Sequence, residues 1–194
     1  EQFNTLQEQF NLIELHEKTR LRIQRQFKDA CDHYQKQFSG IGKREQQHQY
    51  DVFVSMAKIC EQLEYRPDPT TIEKLTQQWE SSGLSGNYLA LLQPRYQQAI
   101  NIAKGEASID FAANEQQRRQ ICIELEILTD NETPEEDRQR RRDYQMQALQ
   151  KNFGKAVINP HEQKEKLRIS WYVTGAVSPE IQGKLQIRFD QLQK

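Results

Sequence analysis

Four arginines crowd into five positions, Arg138, Arg140, Arg141 and Arg142, and guanidinium groups at that density suit the recognition of phosphate. Arg118 and Arg119 lie nearby in sequence and could widen such a face. The same stretch also carries carboxylates at helical spacing. Glu136 precedes Arg140 by four residues and Asp137 precedes Arg141 by four, the favourable order for ion pairs of about 0.2–0.5 kcal/mol each. The first expectation is therefore a solvated helix that neutralises its own charge, and the second a face for nucleic-acid phosphate. No aromatic residue is interleaved with these arginines, so single-stranded bases would find nothing to stack on.

Other chemistry is thinner. His16, His33, His48 and His161 are scattered, with no His-Glu-x-x-His and no Cys-x-x-Cys, the spacings that would bring metal ligands together. Asp29 and His33 stand four apart and can share a helical face as a surface pair. Gly40-Ile41-Gly42-Lys43 has some features of a phosphate loop but lacks the earlier glycine and the Ser or Thr after the lysine. Neither a catalytic constellation nor a cofactor site is expected.

What must position these residues is a set of helices that repeats. Glu73-Lys74-Leu75, then Trp79, Gly83 and Ser85, returns as Glu165-Lys166-Leu167, then Trp171, Gly175 and Ser178. In each copy Leu and Trp are four apart and stack on one helical face. The glycine four residues later suits a left-handed C-terminal cap, and the serine suits the N-cap of the next helix. Each copy reads as a helical corner with a tryptophan wedged inside.

Two more echoes bracket the corner. Ile59-Cys60-x-x-Leu63-Glu64 returns as Ile121-Cys122-x-x-Leu125-Glu126, and Phe27-Lys28-Asp29-Ala30 as Tyr96-Gln97-Gln98-Ala99. The unit is an aromatic-to-alanine helix, a returning Cys helix, and a Trp helix that feeds the next aromatic one. Arg188-Phe189 opens a third unit cut short at Lys194. Cys60 to Trp79 is shorter than Cys122 to Trp171 because an inserted helix, 133–153, begins with the capping box Thr133-Pro134-Glu135-Glu136 and is closed by Gly154.

The expected fold is all-α, tandem repeats of long antiparallel helices joined by tight corners, with a first repeat region over 1–82 and a second over 83–194. At the N-terminus Phe3, Leu6, Phe10 and Ile13 keep helical spacing, and Ser39-Gly40-Ile41-Gly42 is expected to end the first helix. The polar stretch Lys43 to Gln49 would then be the tip of a hairpin. Asp68-Pro69 and Asn159-Pro160 mark helix starts. The aromatic helix runs through Pro94.

Composition agrees with long, wet helices: 36% hydrophobic, 28% charged, and about one residue in seven glutamine. A net charge of −1 gives no general attraction to nucleic acid or an anionic membrane. No apolar run reaches membrane-spanning length. Cys31, Cys60 and Cys122 are an odd, widely spaced set, expected to be buried thiols in a reducing cytosol.

The chain resembles the bacterial helical repeat family known as domain of unknown function 349. The likeness rests on Arg25-Gln26-Phe27-Lys28-Asp29-Ala30-Cys31-Asp32, on Trp79-x-x-x-Gly83, on Ile121-Cys122-x-x-Leu125-Glu126, and on Thr133-Pro134-Glu135-Glu136-Asp137 leading to Tyr144-Gln145. It covers residue 20 to the end, although nothing before Phe27 supplies the family's Trp and Gly. The resemblance implies a tandem arrangement, a position at the C-terminal end of a longer chain, and no known activity. The function expected is a non-catalytic scaffold that binds a protein partner in the cytoplasm. A nucleic-acid module using Arg138 to Arg142 is the alternative.

Overall fold

The computed structural model describes residues 17–151 and 159–193. The expectations for Phe3, Leu6, Phe10, Ile13 and His16, and for the end of the insert at Phe153 and Gly154, lie outside the described residues. Every element among the described residues is helical: α1 (Glu17–Glu64), α2 (Pro69–Glu80), α3 (Gly86–Ala103), α4 (Phe111–Leu128), a 3-10 turn (Glu135–Asp137), α5 (Arg138–Lys151), α6 (Pro160–Val173) and α7 (Pro179–Gln191). None of these helices is long and apolar enough to cross a membrane.

The chain falls into two units, Glu1–His48 and Gln49–Lys194. In the first, Cys31 is buried and Phe27 half-buried, while Asp29 and His33 face solvent. The expected break at Ser39–Gly42 does not occur, because α1 is a single helix of 48 residues. Glycine in a helix costs only about 1 kcal/mol relative to alanine, and Gly42 does not take the left-handed φ that a turn would need. The polar run Arg44 to His48 is thus the wet face of a continuous helix. Gly40-Ile41-Gly42-Lys43 is helical as well, not a phosphate loop.

The second unit holds two apolar cores. In one, Phe53, Met56, Ala57, Cys60 and Leu63 of α1 meet Leu75 and Trp79 of α2 and Leu92, Tyr96 and Ala99 of α3. In the other, Ile121, Cys122 and Leu125 of α4 meet Trp171 of α6 and Leu185 and Phe189 of α7. Each tryptophan lies flat on an aromatic ring of the following helix. Trp79 and Tyr96 have centroids 3.8 Å apart at 2°, and Trp171 and Phe189 4.1 Å apart at 4°. Phe189, expected to open a third unit, closes the second core. The 82/83 division runs through the first core, since Trp79 stacks across it.

The helix starts follow their capping residues. Asp68 Oδ1 accepts from the Thr71 amide at 3.1 Å, Asp110 Oδ1 from that of Ala113 at 2.9 Å, and Asn159 Oδ1 from that of His161 at 3.0 Å; each satisfies a helix-end donor. Ser85 and Ser178 occupy N-cap positions, but their hydroxyls cap nothing. Thr133 does not form the expected capping box. Its hydroxyl donates to Glu126 Oε2 at 2.6 Å, and a 3-10 turn at Glu135–Asp137 precedes α5. Helix α3 continues through Pro94.

The two corner glycines serve different ends. Gly83, in the turn after α2, has a φ of 71°, where a Cβ is disfavoured. Gly175 is not left-handed. A Cβ there would sit 2.5 Å from Asn114 Nδ2, so a side chain at this position has to displace Asn114, and close approach rather than φ favours glycine.

Candidate binding site

Two arginine–glutamate pairs, one buried and one half-buried, organise the interior of the second unit. Arg95, beside Tyr96 on α3, holds Glu64 at the end of α1 through Nε at 2.9 Å and Nη2 at 2.7 Å. Burial works against the Arg95 charge, but the hydrogen bond to Glu64 and the attraction of that carboxylate together outweigh it and hold the guanidinium above the ordinary arginine range. The spare Glu64 oxygen capacity takes the Ala176 amide at 2.7 Å, and Arg95 Nη1 donates to the Tyr172 carbonyl. Arg188, beside Phe189 on α7, holds Glu126 at 2.7 and 3.0 Å by the same Nε and Nη2 edge. Its Nη1 reaches Asp137 Oδ2 at 2.6 Å. These residues did not stand out in the sequence, although a Glu closes both Ile-Cys-x-x-Leu-Glu motifs and an Arg precedes both Tyr96 and Phe189.

The six arginines considered for phosphate contact do not form one face. Arg118 is 2% exposed, stands 4.8 Å above the Trp171 ring, and donates to Gln182 Oε1 at 2.8 Å. Arg119 binds Glu115 at 2.8 Å and Asp137 at 3.1 Å. Arg140 pairs with Asp137 at 3.6 Å, three residues away rather than with Glu136 at four. Arg141 donates to the Asn131 carbonyl at 2.6 Å and the Thr133 hydroxyl at 3.0 Å, so the expected pairing with Asp137 gives way to these loop contacts. Arg142 bonds Gln139. Arg138 is exposed.

Asp137 draws several of these groups together. It is 1% exposed and meets Arg119, Arg140 and Arg188, tying the start of α5 to α4 and α7.

Two concavities adjoin this framework. A half-open cavity of about 480 Å³ is lined by Lys58, Glu61, Arg118, Trp171, Gln182 and Gly183, among others. Its ionisable groups include a long Arg118–Glu61 pair at 3.3 Å. A wider groove of about 870 Å³ runs along α5, lined by Ile127, Arg142, Tyr144, Met146, Ala148 and Leu149. Met146 and Leu149 are 61% and 66% exposed there.

The three cysteines are buried free thiols. Burial pushes Cys60 and Cys122 each from 9.0 up to about 12, which suits packing and removes the thiolate a nucleophile needs. His33, His48 and His161 are exposed. Among the described residues no three His, Cys, Asp or Glu side chains gather as metal ligands would. In comparisons with protein-family models, curated proteins and solved structures, nothing matches the chain.

Proposed function

We propose that the chain is a non-catalytic scaffold of tandem, antiparallel helical repeats that binds a protein partner along α5. The observation that carries this reading is the pair Met146 and Leu149, large apolar side chains left in water at the lip of an apolar groove. Single exposed apolar residues are ordinary, but a contiguous apolar groove with a polar rim is a mark of an interaction face. Exposed Arg142 borders it, so the occupant is an amphipathic partner helix with an acidic rim. The matched stacks of Trp79 on Tyr96 and Trp171 on Phe189, with a bidentate Arg–Glu pair beside each, support the tandem repeat. They also support membership of the domain of unknown function 349 family. Buried, unactivated thiols suit a cytoplasmic setting.

The test is affinity capture with the parent chain and with Met146→Asp/Leu149→Asp, whose exposed positions leave folding intact. Partners held by the parent through nuclease treatment and lost by the variant support the reading. Identical recovery from both would sink it.

Arg138 and Arg142 pair with no described carboxylate, which favours nucleic acid as the second reading. DNA binding that weakens steeply with salt, and disappears when Arg138, Arg140, Arg141 and Arg142 are replaced together, would establish it.

A further inference from the structure

The geometry points to a binding site for a small carboxylate in the cavity between α1, α4, α6 and α7, with Arg118 as its anchor. Arg118 Nε is buried and has no acceptor. Nη2, which completes the same edge of the guanidinium, makes only contacts of 3.3 Å, to Glu61 and to the Thr174 carbonyl. Arg95 and Arg188 each hold a carboxylate by this Nε–Nη2 edge at 2.7–3.0 Å. Arg118 is the most deeply buried of the three, and its edge has only the long carboxylate contact of Nη2 to Glu61, with nothing on Nε. A planar carboxylate fits that fork better than a point charge does.

Packing alone does not ask for a charge here. The residue four before Cys122 is Arg118, while the residue four before Cys60 is Met56, which lies in its own core as an ordinary apolar side chain. A buried cation is expensive unless it is matched. Burial, with Arg95 adding to it, holds the Arg118 guanidinium below the ordinary arginine range against the pull of Glu61. A bound anion would offset that deficit. Exposed Lys58 at the rim pairs with no described carboxylate and adds to the attraction.

Gly183 is the open side of the cavity wall, on the solvent-exposed face of its helix. It sits inside α7 and lines the cavity, its φ is not left-handed, and a Cβ there would meet nothing within 4 Å. Glycine at such a position weakens the helix by about 0.5–1 kcal/mol relative to alanine, and what it provides is open space at the cavity wall. The volume of about 480 Å³ is within the usual range for small-molecule sites. The amides of Gln62, Gln182 and Gln186 would hold the rest of the molecule. Half-exposed Gln182 is the neutral neighbour that yields to admit it.

Thermal unfolding of the whole chain at constant ionic strength, titrated separately with glutarate, acetate and inorganic phosphate, tests the site. Glutarate is expected to raise Tm saturably, by about 5 °C at a hundredfold excess over Kd. Gly183→Leu fills the cavity from an open helical position, so it should fold with equal or higher Tm and lose the response. Arg118→Met should lose it too. No saturable shift with either carboxylate, a shift with phosphate alone, or an undiminished shift in Gly183→Leu would each overturn the assignment.

Discussion

Arg95 grips Glu64 through two hydrogen bonds across 31 residues of sequence, with side chains only 5% and 3% exposed. The pair fixes the end of α1 against α3, and its remaining contacts with Tyr172 and Ala176 bring in α6 and the corner that follows it. Breaking a buried pair from one side strands the other charge, at a cost of about 3–5 kcal/mol. Arg95→Met should lower the unfolding free energy by that amount in urea titrations. Adding Glu64→Leu should recover part of it, since no stranded carboxylate remains, but not all, because the Ala176 amide and Tyr172 carbonyl lose their partner. If the single variant unfolds like the parent, the pair contributes nothing to stability.

The thiols give the fold an alkaline limit. With Cys60 and Cys122 raised from 9.0 to about 12, both states are protonated below pH 9 and the thiols add no pH dependence there. Between pH 9 and 12 the unfolded chain has lost protons that the folded chain keeps, so stability falls as pH rises. The slope approaches about 1.4 kcal/mol per pH unit for each thiol. Tyr50 and Tyr65, raised from 10.0 to about 12 mainly by burial, steepen it above pH 10. Denaturation midpoints at pH 8, 9.5 and 11 should show the decline, and Cys60→Ala should flatten it relative to the parent.

How far these features could be read in advance depends on their range. Trp79 and Trp171 were legible because a large ring four residues from a leucine has a local signature and one plain use, burial. The caps at Asp68, Asp110 and Asn159 are local as well, and two of them, Asp68 and Asn159, were marked by the proline that follows. The continuity of α1 was not legible. Whether Gly-x-Gly breaks a helix depends on what a returning arm would bury, and that information is not local. Arg118 was misread as a surface cation beside Arg119, although its place four before Cys122 and seven before Leu125 puts it on the core side of α4. Glu64 and Glu126 find their partners 31 and 62 residues away, and only the duplicated motif hinted at them.

The two corner glycines should respond differently to the same change. Gly83→Ala forces a Cβ into a left-handed φ of 71° and should cost about 1–2 kcal/mol. Gly175→Ala instead displaces Asn114, which donates to the Ala176 carbonyl at 2.8 Å, and should cost about 1–3 kcal/mol through that lost bond. In an Asn114→Ala background the Gly175 penalty should shrink toward zero while the Gly83 penalty stays. A double-mutant cycle reads the difference directly. Additive behaviour at Gly175 and Asn114 would mean that the close approach is not what demands the glycine.

Asp137 should govern whether α5 stays attached. Its carboxylate accepts from Arg188 at 2.6 Å and Arg119 at 3.1 Å, and its own amide closes the 3-10 turn on Pro134 at 2.9 Å. Beyond Asp137, α5 is held by the contacts of Arg141 with the preceding loop and by half-buried Tyr144 and Ala148, while Met146 and Leu149 point their apolar mass into solvent. Asp137→Ala leaves Arg119 with Glu115 and Arg188 with Glu126, so both arginines keep a partner while α5 loses its tether. Hydrogen exchange should therefore rise sharply in Arg138–Lys151 and little around Trp171, a local opening rather than global unfolding. Arg138→Ala, an exposed change on the same helix, should alter neither exchange nor stability beyond about 0.5 kcal/mol. Uniform loss of protection across both cores in Asp137→Ala would show that the aspartate holds the whole unit together and not α5 alone.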